Sequence, residues 1–168
     1  QKRGYTGAKH DRLTLDWLSP STSADAEIYG SLKTLRNRVR DLIRNNDYAK
    51  GIIRTIVNNV IGKGITLQSQ VTYARKDELD DKTNTLIETA WTEWGKKKYC
   101  HTAGKLSFIG IQQLGMKSVG ESGEVFIRIV RQGFGGSKIP MALEVIEADQ
   151  LDDEYNLRGY GPNIIKMG

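Results

Sequence analysis

The hydrophobic positions that follow the polar start of the chain recur with the period of an α-helix. From Ile28 to Leu42 they are separated alternately by four and three residues, which places them on one helical face. Thr22 and Asp25 match the pattern of a capping box. We therefore predict a first helix over residues 24–44.

A second helix is predicted over residues 48–61, with Asp47 as its N-cap. Its isoleucines and valines form an apolar stripe that is too wide for a mostly exposed helix, so we expect packing on two sides. Gly62 occupies the position of a C-terminal glycine cap. The alternation of apolar and polar residues from Ile65 to Ser69 then predicts a short strand.

Two further helices are predicted in the middle of the chain. Residues 77–97 carry acidic residues in the first turns and lysines in the last turn, a polarity that suits the helix macrodipole. Ser107 is the predicted N-cap of the next helix, over residues 108–119, which Gly120 and Gly123 end. The predicted buried face of the first of these helices comprises Leu79, Leu86, Ala90, Trp91 and Trp94.

Two strands are predicted towards the end of the chain, over residues 123–132 and 141–147. The glycine-rich connection between them is too long for a tight turn, which favours an antiparallel hairpin with a longer loop. The predicted fold class is therefore α+β, with several helices packed against a small antiparallel sheet or hairpin. Residues 1–23 are polar and rich in turn-forming residues, so we expect an extended or mobile N-terminal arm there.

Composition limits the classes of protein that remain. A length of 168 residues suits one domain of ordinary size. The sequence has no run of about 18 apolar residues, so we expect no membrane span. The single cysteine, Cys100, excludes an intrachain disulfide and a CxxC metal site.

The excess of positive charge is concentrated in one segment. Residues 33–54 contain seven basic and two acidic residues, so this segment alone accounts for the net charge of +5. Arg36, Arg40 and Arg44 are spaced four apart and form a stripe along the first helix, and Arg54 lies on the second. Such a stripe can contact phosphates, form a solvated helix face, or pair with an acidic neighbour.

The sequence offers few residues for chemistry. Cys100 and His101 are adjacent, but a Cys–His nucleophile needs the two side chains to meet and a third group to orient the base. The glycine-rich segments at 62–64 and 133–136 match neither GxxxxGK[ST] nor GxGxxG. Trp91 and Trp94 have the helical spacing of core residues. We therefore predict no catalytic residue, cofactor site or metal site.

An acidic cluster near the end of the predicted sheet is the one candidate for metal chemistry. It comprises Asp149, Asp152, Asp153 and Glu154. Together with a strand glutamate it can in principle hold a divalent cation for phosphodiester cleavage. It shows no fixed ligand spacing, however, and a solvated turn after a strand is the competing interpretation.

The run from residue 35 to residue 69 resembles the N-terminal signature of lambda-family tailed-bacteriophage portal proteins, the head-to-tail connectors. The matching positions are Leu35, Arg36, Arg38, Arg40, Asp41, Leu42, Arg44, Asn45, Asn46, Tyr48, Ala49, Gly62, Gly64, Ile65 and Gln68. The Trp91–Trp94 pair, Ser107-Phe108, the segment 123–126 and the segment 146–152 are also similar to that family, in the same order. Asp47 departs from the pattern, where we expect proline.

The resemblance implies a structural protein without enzymatic activity or cofactor. It implies a homo-oligomeric ring, a dodecamer, that forms the DNA channel at a unique capsid vertex and serves genome packaging, ejection and head–tail joining. The implied partners are terminase, capsid proteins, tail or adaptor proteins and the double-stranded DNA in the channel. The implied location is the virion, and the host cytoplasm during assembly, without a membrane role.

In this interpretation residues 24–168 form a portal wing-like α+β domain that is truncated at its C-terminal end. The candidate basic residues then face a neighbouring subunit, pair within the subunit, or face DNA; they are Arg36, Arg40, Arg44 and Arg54. Two alternatives stay open: a metal-dependent nuclease that uses the acidic cluster at Asp149–Glu154, and a free-standing basic module that binds nucleic acid.

Overall fold

The computed structural model describes residues 12, 16, 21–74, 76–152 and 155, and the predicted α+β class is confirmed. The described residues form six α-helices and one two-stranded antiparallel sheet. They divide into two compact units between Leu35 and Arg36, inside the second helix. Within the described part of the chain, no helix has the length and apolar character needed to cross a membrane. The predicted arm, residues 1–23, lies almost wholly outside the described residues.

The first predicted helix is in fact two, α1 over Ala24–Tyr29 and α2 over Leu32–Asn45. The break falls at Gly30, which is the C-cap of α1 and is poorly suited to a helix interior. The N-cap is Ser23 rather than the predicted Thr22. The Ser23 side chain accepts a hydrogen bond of 3.2 Å from a backbone N–H three residues further on.

Helix α3 spans Asp47–Ile61, and its N-cap is Asn46 instead of the predicted Asp47. Asn46 has an extended backbone, and its side-chain oxygen accepts bonds of 2.9 and 3.1 Å from two backbone N–H groups of the first turn. Gly62 ends the helix as predicted, with a φ of 53°. The expected packing on two sides is wrong for the described chain, because only α6 packs extensively on α3 and no α3 residue is fully buried.

The segment after α3 does not form the strand predicted from Ile65 to Ser69. The backbone N–H groups of Ser69 and Val71 donate instead to the side chains of Glu88 and Asn84, at 2.9 and 2.7 Å. Side chains of the next helix thus satisfy the backbone groups that a neighbouring strand would otherwise bind. Alternating polarity did not indicate that the partners of this segment are side chains of a helix.

Helix α4 spans Asp81–Trp94, and the four-residue helix α5 spans Lys97–Cys100. Helix α4 begins four residues later than predicted, because the preceding acidic residues belong to a hairpin closed by a bridge between Thr72 and Leu79. The inward face of α4 is formed by residues that are buried or half-buried and have helical spacing; they are Asn84, Ile87, Trp91 and Trp94. Trp91 and Trp94 are therefore confirmed as core residues, whereas the predicted burial of Leu79, Leu86 and Ala90 is wrong.

Helix α6 spans Phe108–Ser122 and begins at the predicted cap, Ser107, whose side chain accepts a 3.2 Å bond from the N–H of Gly110. It ends at Gly123, which is left-handed with a φ of 85°. The prediction that Gly120 ends the helix is wrong. A Cβ atom at Gly120 would lie 2.8 Å from the Cδ1 atom of Ile53, so this glycine permits the close approach of α3 and α6.

The predicted antiparallel hairpin is confirmed, with β1 over Phe126–Val130 and β2 over Ala142–Ile146. Arg128 lies opposite Glu144, and the two side chains form an ion pair. A short 3-10 turn, Ala148–Gln150, follows β2.

The core joins α4, α5, α6 and β2. Its fully buried centre comprises Trp94, Cys100 and Ile111. Trp91, Trp94 and Phe108 form an aromatic cluster with ring centroids 5.1 to 5.3 Å apart. The indole N–H of Trp94 donates to the carbonyl oxygen of Met141 at 2.7 Å, so one side chain fixes α4 to the start of β2.

The hairpin loop supplies a test of this packing. Gly135 and Gly136 both have positive φ, but only at Gly135 would a Cβ atom meet neighbouring backbone, 2.5 Å from the carbonyl oxygen of Lys98. We expect Gly135→Ala to lower the free energy of unfolding by about 1–3 kcal/mol more than Gly136→Ala. Both variants place a side chain at a positive φ, but only the Cβ atom at position 135 also overpacks against the backbone of Lys98. Urea denaturation of the two variants measures the difference. Equal losses would contradict the close approach to Lys98.

Candidate functional site

Arg36 is the most buried of the four candidate basic residues, with 8 % of its surface exposed. Its Nε atom donates to the carbonyl oxygen of Ser122 at 3.1 Å, and its Nη2 atom pairs with the carboxylate of Glu124. Ser122 is the last residue of α6, where carbonyl groups lack partners within the helix and the macrodipole favours a cation. Arg36 therefore fixes α2 to the C-terminal end of α6.

Arg40 lies one turn further along α2 and binds the same residue. Its Nη2 atom donates to the hydroxyl oxygen of Ser122 at 2.8 Å, and its Nη1 atom forms an ion pair with Asp149. Asp149 belongs to the 3-10 turn after β2. Arg40 thus connects α2, α6 and the end of the sheet, and the structure brings Arg36 and Arg40 together at Ser122.

Arg44 and Arg54 are exposed, and neither has an ion-pair partner among the described residues. Both line a depression beside α6. Arg44 lines a part of about 520 Å³ that reaches the end of β2. Arg54 lines an adjoining part of about 300 Å³ beside α3. The two parts share Ile43, Leu114, Lys117 and Glu121.

We call this combined depression the α6 groove. Apolar side chains contribute to its lining from four elements; they are Ile43, Ile53, Val57, Leu114, Val145 and Ile146. Lys50 and Lys117 add positive charge to its rim, and Lys117 pairs with Glu121 at 3.6 Å. The groove could not be predicted from the pattern of α2 and α3, because Leu114 and Lys117 come from a helix far away in the sequence. The one indication of the groove in the sequence is that Lys50 lies four residues before Arg54, on the same helical face.

The adjacent Cys100 and His101 do not form a nucleophile–base pair. The Cys100 thiol is fully buried and donates to the carbonyl oxygens of Gly95 and Leu106, each at 3.5 Å. Burial raises the pKa of this thiol, which keeps it protonated. The Nδ1 atom of His101 accepts a bond from the backbone N–H of Ala103 at 3.1 Å.

One member of the acidic cluster, Asp149, has a structural role. Asp149 pairs with Arg40, and Asp153 and Glu154 lie outside the described residues. Within the described ranges, no group of three or more His, Cys, Asp or Glu side chains is placed to hold a metal ion. The glycines at 62–64 form a helix end and turn, and those at 133–136 form the hairpin loop.

Replacement of Arg36 tests the contact between α2 and α6. We expect Arg36→Met to lower the free energy of unfolding by about 1–3 kcal/mol, because the Ser122 carbonyl and the Glu124 carboxylate each lose a partner. Arg38→Met is the matched control, since Arg38 is exposed and should change stability by less than about 0.5 kcal/mol. Thermal and urea unfolding compare the two, and similar losses would contradict the assigned role.

Cys100 supplies a second test. Because the thiol is buried and its pKa is raised, we expect no reaction with an aromatic disulfide reagent at about pH 8 in the native protein. Labelling should reach one thiol per chain once denaturant unfolds the core. Rapid labelling without denaturant would show that Cys100 is accessible.

Comparison with known proteins identifies the family. A family model described as phage portal protein, lambda family, matches residues 10–168. The chain is 34 % identical over 169 aligned residues to the probable portal protein of Halomonas phage phiHAP-1, and the alignment covers 99 % of this chain and 32 % of that protein. It is 29 % identical over 87 residues to the portal protein of Escherichia phage N15, which covers 50 % of this chain and 16 % of that protein.

The chain thus spans just under a third of the Halomonas phage protein and a smaller share of the second relative. The family match agrees with the resemblance of the segment at residues 35–69, and it extends over most of the chain. The chain belongs to the lambda family of phage portal proteins.

Proposed function

We propose that this chain contributes to a ring-shaped DNA channel at a unique capsid vertex. The ring would serve genome packaging, ejection and head–tail joining. The observation that carries the proposal is the family match, which runs from residue 10 to residue 168. Because the chain covers only part of its relatives, the proposal concerns the whole protein to which these residues contribute.

The surface of the described residues supports an assembly role. Large apolar side chains are exposed on α3 and α4, among them Tyr48 at 87 % and Leu86 at 70 %. Burial of these side chains against neighbouring subunits would remove apolar surface from water, which is consistent with an assembly role. The residues considered for chemistry are meanwhile occupied, because Cys100 lies in the core and Asp149 pairs with Arg40.

The proposed partners follow from this role. The subunit would bind copies of itself in a ring, which we take to be a dodecamer, and the ring would bind terminase, capsid proteins and tail or adaptor proteins. Double-stranded DNA would pass through the channel. The protein would reside in the virion, after assembly in the host cytoplasm.

Within the subunit we propose that residues 24–168 form a wing-like domain preceded by an arm at residues 1–23. The candidate basic residues then divide into two groups. Arg36 and Arg40 pair within the subunit, as their bonds to Ser122, Glu124 and Asp149 suggest. Arg44 and Arg54 are left for a neighbouring subunit or for DNA.

Measurement of the mass of the complete gene product tests the proposal. We expect native mass spectrometry to give a closed ring of many subunits, and electron microscopy to show a central channel. No magnesium-dependent cleavage of DNA should accompany it. A monomer whose nuclease activity disappears in Asp149→Ala would contradict the portal role and restore the metal-dependent nuclease. A monomer that binds DNA with a steep salt dependence would indicate the free-standing module.

A further inference from the structure

The α6 groove has the composition of a docking site for an acidic segment with an apolar tip. Its lining offers apolar surface from α2, α3, α6 and β2, and burial of a complementary apolar side chain would remove that surface from water. Its rim carries Arg44, Lys50 and Arg54, none of which has an ion-pair partner among the described residues.

DNA fits this composition less well than a peptide. A phosphate backbone has charge but no apolar group to cover the lining of the groove. A ligand that combines one apolar side chain with nearby carboxylates satisfies both the lining and the rim.

The chain itself carries such a segment. Residues 71–74 and 76–80 form the two arms of a hairpin, held by the bridge between Thr72 and Leu79 and by a 2.9 Å bond from the N–H of Asp80 to the carbonyl oxygen of Val71. Leu79 is 53 % exposed on this hairpin, although it is a large apolar residue. It is surrounded in sequence by acidic residues; they are Asp77, Glu78, Asp80 and Asp81.

The carboxylates of this hairpin differ in how free they are to bind a partner molecule. Asp80 is the N-cap of α4, and its hydrogen bonds to the side chain and backbone of Thr83 lower the pKa of its carboxyl. Asp77, Glu78 and Asp81 are exposed and have no ion pair within the described part of the chain.

We call residues 71–74 and 76–81 the acidic hairpin. Over residues 71–81 the sequence has four acidic residues and two basic ones, Arg75 and Lys76, so the segment carries a net charge of −2. Its negative charge lies on the arm that leads into α4, where Leu79 is also exposed.

We propose that the acidic hairpin of one copy docks in the α6 groove of a neighbouring copy. Leu79 would lie on the apolar lining, and Asp77, Glu78 and Asp81 would face the cationic rim. The groove and the hairpin are different surfaces of one chain, so successive copies can bind head to tail, and such heterologous contacts generate rings when the rotation closes. The inference rests on the proposed ring and identifies the surfaces that build it.

Charge exchange in the complete gene product tests the contact. The groove variant is Lys50→Glu with Arg54→Glu, and the hairpin variant is Asp77→Lys with Glu78→Lys. In each, like charges meet across the interface, so we expect the concentration needed for half-assembly to rise by about 100-fold. A chain that carries all four substitutions has opposite charges again and should recover ring assembly. Analytical ultracentrifugation and native mass spectrometry measure the assembly.

The matched control reverses two exposed positive charges elsewhere, Arg38→Glu with Lys105→Glu, and should assemble as the wild type does. Circular dichroism establishes that each variant is folded. If the groove variant unfolds, the neutral pair Lys50→Gln and Arg54→Gln replaces it, with an expected rise of about tenfold.

Several outcomes would overturn the inference. Rings that assemble normally in both reversal variants would exclude this contact, as would a failure of the quadruple variant to recover assembly. Normal rings in the groove variant with weakened DNA retention would assign the groove to phosphate binding. A wild type that forms no ring would remove the proposed function itself, whereas a wild-type ring that is indifferent to these charges would remove only the contact.

Discussion

The arrangement of the larger unit depends on the binding of two arginines of α2 at one end of α6. The last residue of α6, Ser122, presents a carbonyl oxygen to Arg36 and a hydroxyl oxygen to Arg40. Helix ends leave carbonyl groups without partners, so a guanidinium placed there satisfies a backbone group and offsets the negative end of the dipole. This contact seats α2 beside α6 and thereby forms one wall of the α6 groove.

The same contact divides the basic stripe of α2 into members with different surroundings. Arg36 is buried, Arg40 is partly buried and paired, and Arg44 is exposed at the last turn. Regular spacing of four residues suggested equivalent roles, yet Arg36 and Arg40 contact the end of α6 and the residues around it, whereas Arg44 is exposed. The positive charge that remains for partners is thus smaller, and lies closer to α3, than the net charge alone would suggest.

The sequence was sufficient for the elements that local patterns specify. Ser107, Gly62 and the hairpin of β1 and β2 were predicted correctly, because caps, glycine ends and alternation act over a few residues. Gly30 was overlooked because a periodic apolar pattern continues across it. The misplaced strand at residues 65–69 and the misjudged burial of Leu86 have another origin, since both depend on which element packs nearby.

The candidate site shows the same limit more strongly. The four arginines were visible in the sequence, but their separation into paired and unpaired members required Ser122, Glu124 and Asp149, which lie more than 80 positions away. The lining of the groove comes from α2, α3, α6 and β2, and no local pattern indicates which side chains of four elements meet. Family membership could be read from ordered motifs; the surfaces that recognise a neighbour could not.

The buried side-chain amide of Asn84 binds both backbone groups of Val71. Its Oδ1 atom accepts from the N–H of Val71 at 2.7 Å, and its Nδ2 atom donates to the carbonyl oxygen of the same residue at 3.0 Å. A helix side chain thereby imitates the edge of a strand and anchors the base of the acidic hairpin, while the other arm runs directly into α4. The base of the hairpin is therefore fixed to α4 within the subunit, so the conformational entropy of that part is already lost before a partner binds.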